Sequence, residues 1–144
     1  MDFSSINWLA VLVAALSSFL VGGLWYSPLL FANVWIKETG LNTETLQKSS
    51  KARAFGFTFF FSILMAANLA MFLADGPSTC PDGCVQKTDL IWGTTAGFLA
   101  GIWAFSAIAI AALFELKSWR YIFINGGYSI ISLTLMGAII GAWR

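Results

Sequence analysis

Two cysteines four positions apart, Cys80 and Cys84, bracket Pro81-Asp82-Gly83 and are the only thiols in the chain. An oxidising compartment would join them, although so short a ring gives little entropic stabilisation. The Cys-x-x-x-Cys spacing differs from the Cys-x-x-Cys spacing that tunes redox thiols. A membrane thiol oxidase also needs a second cysteine pair to pass electrons onward, so a thiol oxidoreductase is the least favoured reading. The chain has no histidine, which removes the commonest general base and the commonest transition-metal ligand. The expectation is therefore a protein that is no enzyme, with no metal site and no cofactor.

The remaining chemistry-bearing residues lie within apolar surroundings. Glu115 continues an apolar helix without interruption, as a proton or cation site would; an interfacial ion pair with Lys117 or Arg120 is the plainer expectation. Asn125, Ser129 and Ser132 share one helical face by their spacing of four and three, and Thr58, Ser62, Asn68 and Thr134 are further polar groups at membrane depth. Such groups must face protein or water. Hydrogen bonding between helices is the favoured role, and the wall of a polar conduit is the sharper one. Asn125-Gly126-Gly127-Tyr128 puts two glycines inside a helix, through close packing or an unwound turn of the kind that coordinates ions in transporters. Trp25, Tyr26 and Ser27 precede a proline at a helix end. With Glu115, Asn125 and Tyr128 they form the candidate ligand or pore set.

The elements that must hold these residues are set by composition. Of 144 residues, 58% are hydrophobic and 10% charged, with a mean hydropathy of +0.78, whereas about a quarter of a soluble domain is charged. The expected fold is all-α and polytopic: one four-helix transmembrane domain over 1–144, with spans at about 6–26, 53–74, 89–114 and 119–143. The first run is too long for a signal-peptide core and only Asp2 precedes it, so it is read as an uncleaved helix. Ser27-Pro28 breaks the chain, and a short amphipathic interfacial helix is expected over 28–38, ending at Gly40. Asn42 or Thr43, Thr88 and Ser118 are the expected caps of the later spans. Gly76, Pro77, Pro81 and Gly83 exclude a helix between spans two and three. With a net charge of +1 and scattered cations, nucleic acid is excluded as a partner; the lipid bilayer is the expected one.

Lys37, Lys48, Lys51, Arg53, Lys117 and Arg120 fall on one side of these spans, and only Lys87 and Arg144 on the other. Cytoplasmic connections retain positive charge, so both termini and the cysteine loop are expected outside, in the inner membrane. Gly93, Gly97 and Gly101 form a smooth face on span three, and Gly137 and Gly141 repeat it on span four. These faces serve either the bundle or a homo-oligomer contact. Trp25, Tyr26, Trp35, Trp119, Tyr121 and Trp143 stand at helix ends as an aromatic belt, and mid-span Trp103 packs in the core or lines a cavity.

The Asn7-Trp8-Leu9-Ala10-Val11 opening, the run from Gly23 through Trp25-Tyr26-Ser27-Pro28 to Phe31 with Trp35, Phe114-Glu115, Asn125-Gly126-Gly127-Tyr128 and the stretch from Gly137 to Trp143 together resemble the DUF1761 family. The resemblance covers nearly the whole chain, leaves the cysteine loop outside it, and implies a small bacterial four-helix membrane protein of unassigned function. The functional expectation is an oligomeric small-solute or ion transporter, or a membrane module binding a small solute or lipid. A structural or accessory subunit of a membrane complex is the alternative.

Overall fold

The computed structural model describes residues 6–41, 44, 50–74 and 88–143; the expected caps Asn42 and Thr43 and the Cys80–Cys84 loop lie outside the described residues. Among the described residues there are five helices and no strand: α1 (Trp8–Trp25), α2 (Ala32–Thr39), α3 (Lys51–Phe72), α4 (Leu90–Phe114) and α5 (Trp119–Ala142). All but α2 are long and apolar enough to cross a membrane. The 18 residues of α1 extend roughly 27 Å, close to the ~30 Å of a hydrocarbon core. The 25 residues of α4 reach roughly 37 Å and can span it tilted.

Side-chain caps set the helix starts. Asn7 accepts from the Ala10 N–H at 3.1 Å, and Ser118 caps α5 as expected, accepting from the Tyr121 N–H at 3.2 Å. The cap of α3 is Ser50, which accepts from the Arg53 N–H. The cap of α4 is Asp89, one residue beyond the expected Thr88. Its carboxylate takes the Trp92 N–H at 2.7 Å, an anion placed at the positive end of the helix dipole, while the Thr88 hydroxyl donates to the Leu73 carbonyl at 2.6 Å. The short helix begins at Ala32 rather than at Pro28. Turns over residues 28–31 come first, because the carbonyls of Trp25 and Ser27 are taken up by the N–H groups of Phe31, Leu30 and Ala32. Gly40 ends α2 with a φ of 69°.

The turn from α4 to α5 closes as a Schellman motif, with the Lys117 N–H on the Ala112 carbonyl and the Leu116 N–H on that of Leu113. Its left-handed position is normally a glycine, yet Leu116 occupies it at φ 55°, with its side chain 93% exposed. Leu116→Gly is therefore expected to stabilise the fold by about 0.5–1 kcal/mol, read as a higher unfolding midpoint in detergent. Leu116→Val should move the midpoint the other way.

Helix α5 is the axis of the bundle. It packs on α4 most extensively, then on α1, α3 and α2, and α1 pairs with α3. Within its apolar window 39% of α5 is buried, against 17% of α4, so α4 is held almost entirely by α5. The glycines explain how. A methyl group built on Gly97 would overlap the Leu133 carbonyl, one on Gly93 the Gly137 carbonyl, and one on Gly141 that of Asp89. Both glycine faces are thus spent on each other within one chain. Elsewhere Val11, Ala14, Ala15, Ala66, Ala70, Leu73, Met136 and Ile140 form one buried cluster joining α1, α3 and α5. The Asn7 amide donates to the Trp143 carbonyl at 3.1 Å, which ties the start of α1 to the end of α5.

Candidate functional site

The structure brings together four of the six sequence-selected candidates, where α1 meets α5 near α2. The Tyr26 hydroxyl donates to Asn125 Oδ1 at 2.8 Å, and the Asn125 amide nitrogen donates to the Tyr121 carbonyl at 2.9 Å. Trp25 Nε1 donates to the Ile124 carbonyl at 2.9 Å. The Tyr128 hydroxyl lies 3.1 Å from the Ser18 hydroxyl and donates to the Ser18 carbonyl at 3.3 Å. The Tyr26 ring meets Tyr128 edge-on at 5.5 Å and Trp35 at 5.7 Å. Each polar atom of this cluster that enters the membrane is answered by another, as a low-dielectric setting requires.

The paired glycines belong to the same lock. Helix α5 runs unbroken through Asn125-Gly126-Gly127-Tyr128, so the unwound turn does not occur. Instead a side chain on Gly126 would strike the Phe105 ring, and one on Gly127 would meet the ring of Trp25 at 3.4 Å. The expected conduit face is turned inward: Ser129 and Ser132 are buried, the former donating to the Asn125 carbonyl at 3.2 Å. Ser27 bonds the Leu24 carbonyl within its own turn.

Glu115 stands apart. It is the exposed C-cap of α4, and among the described residues it makes no ion pair with Lys117 or Arg120; the Lys117 ammonium lies over the Tyr121 ring at 5.7 Å instead. The carboxylate used nearby is that of Glu38 at the end of α2, which accepts from the Ser118 hydroxyl and holds α2 to the start of α5. Ser18, Glu38 and Trp35 were not legible as partners, because their neighbours come from helices far away in sequence.

A second feature lies on the other flank. With α4 drawn onto α5, a groove of about 960 Å³ opens between α3 and α4. Phe61, Leu64 and Phe72 line one wall and Leu99, Ala100 and Trp103 the other. Trp103 is 85% exposed there, so it lines a cavity rather than packing in the core. Asn68 lines the same groove. Most membrane-depth hydroxyls bond backbone carbonyls of their own helix, as Thr58, Thr94, Thr95, Ser106 and Thr134 do. Asn68 has no hydrogen-bond partner among the described residues and is exposed.

A family model described as a protein of unknown function, DUF1761, matches residues 9–141. No curated protein and no solved structure matches the chain.

Proposed function

As a member of the DUF1761 family, the chain carries an architecture without an assigned activity, and we propose from its own geometry that it is a ligand-binding module of the cytoplasmic membrane. Both termini would lie outside, on the strength of the Lys and Arg asymmetry. The observation that carries this reading is the lateral groove between α3 and α4, whose size and apolar lining fit a membrane-dissolved molecule. A transport path within one chain has less support, since the polar residues chosen for it bond one another. Nor do the glycine faces recommend an oligomer, since each covers the other.

The test is retention. Protein purified in detergent and passed into lipid nanodiscs should keep an apolar or amphiphilic molecule, detected by native mass spectrometry and absent from empty nanodiscs. Ala100→Phe, which fills the groove from a partly exposed position beside the core, should remove most of that retention at a cost of about 1 kcal/mol in stability. Equal retention by wild type and Ala100→Phe would overturn the reading, and stoichiometric recovery of a second protein would favour an accessory subunit instead.

A further inference from the structure

Among the polar groups at membrane depth, Ser132 Oγ and Trp92 Nε1 are buried without a hydrogen-bond partner among the described residues, whereas Asn68 lacks one while exposed on the groove. Burial or self-bonding hides most of the others, whereas the Asn68 amide faces an apolar groove. A primary amide turned to hydrocarbon without a partner costs free energy of the order of several kcal/mol. Its position along the groove is informative. Four residues separate Asn68 from Phe72 at the end of α3, so it lies roughly 6 Å inside that end. The end in question is the one where Thr88 joins Leu73. From there toward Phe61 and Trp103 the lining is apolar. The groove is polar near one membrane surface and apolar toward the midplane, which is the polarity profile of a lipid in a leaflet.

We infer that the groove takes an uncharged long-chain amphiphile whose hydroxyl or carbonyl bonds the Asn68 amide while its tail runs between α3 and α4 to Trp103. The inference rests on the groove being a ligand site and names what the ligand is. Three observations select this occupant. No Lys or Arg stands in α4 or in α3 beyond Phe61, and the Asp89 carboxylate caps α4 at the same end, so among the described residues nothing at that end offers a counter-charge to an acid or phosphate. A helix from a second copy would need a face of small residues for close approach, whereas the small residues lining the groove are Ala96, which is buried, and Ala100; large side chains, among them Phe61, Leu64 and Phe72, line the rest, and the glycines of α4 are covered by α5. A pure hydrocarbon would leave the amide unanswered.

The experiment compares a long-chain alcohol with the alkane of equal length, both brominated at the tail end. Binding is read in nanodiscs as quenching of Trp103, taken as the difference between protein with and without Trp103→Phe. Wild type should prefer the alcohol about fivefold more than Asn68→Leu does, the factor for one hydrogen bond of about 1 kcal/mol. Taking the ratio between the two proteins cancels the different partitioning of alcohol and alkane into the bilayer. Asn68 is exposed, so Asn68→Leu should fold normally, and unchanged alkane quenching would confirm that the groove survives. Equal preference in wild type and Asn68→Leu would overturn the inference while leaving the groove a ligand site. Quenching no stronger in wild type than in Ala100→Phe, for either probe, would instead remove the groove from function altogether.

Discussion

Gly97→Val is expected to destabilise the bundle by about 3 kcal/mol, the upper end of the overpacking range. The reason is geometric. The atom that a β-carbon on Gly97 would meet is the carbonyl oxygen of Leu133, and a carbonyl inside a helix has no rotamer to change. The helices must separate, and α4 has little else to hold it, since its contacts with α5 dominate its packing. A control isolates this effect from helix propensity. Gly56 in α3 has nothing within 4 Å of an added β-carbon, so Gly56→Ala should leave the fold unchanged or stabilise it by up to about 1 kcal/mol. Reversible unfolding in mixed micelles, followed by circular dichroism, measures both. Equal midpoints for Gly97→Val and wild type would mean that α4 does not depend on its glycine face. Because α4 also forms one wall of the groove, Gly97→Val should lower ligand retention as well.

Breaking the polar lock is the second large effect. Asn125→Leu removes the acceptor of the Tyr26 hydroxyl and leaves that donor in a low-dielectric setting, at a cost of about 2 kcal/mol. Tyr26→Phe removes the donor and should cost about 1 kcal/mol, since the ring contacts with Trp35 and Tyr128 survive. The double variant should be less destabilised than the sum of the two, with a coupling of about 1 kcal/mol. Additive losses would show that the hydrogen bond contributes nothing and that the two residues act through packing alone. Ligand retention offers an independent reading, because the lock lies between α1 and α5 and the groove between α3 and α4. Substitutions in the lock should lower the unfolding midpoint without abolishing retention in the protein that remains folded.

Several parts of this protein were legible in the amino-acid order. Apolar runs of the right length set the four spans, because hydrocarbon admits a lone segment only as a helix. Four-residue glycine spacing on two spans announced close helix approach, and Ser118 announced a cap. Local alternatives were harder to rank. Asp89 and Thr88 are adjacent and both can cap, and only the Thr88 bond to Leu73 decides between them. The start of α2 likewise depends on turns in which Trp25 and Ser27 carbonyls find partners before the helix begins.

Transfer free energies act residue by residue, so the class of protein and the number and extents of its apolar spans could be read from the amino-acid order alone; that Thr58 and Asn68 end up exposed could not. The partners came from the packing of the helices. That packing turned Asn125 toward Tyr26, set Glu115 apart, paired the two glycine faces within one chain, and left Asn68 facing an apolar groove. Those outcomes depend on which helix lies beside which, a relation between segments distant in the chain that no local pattern encodes.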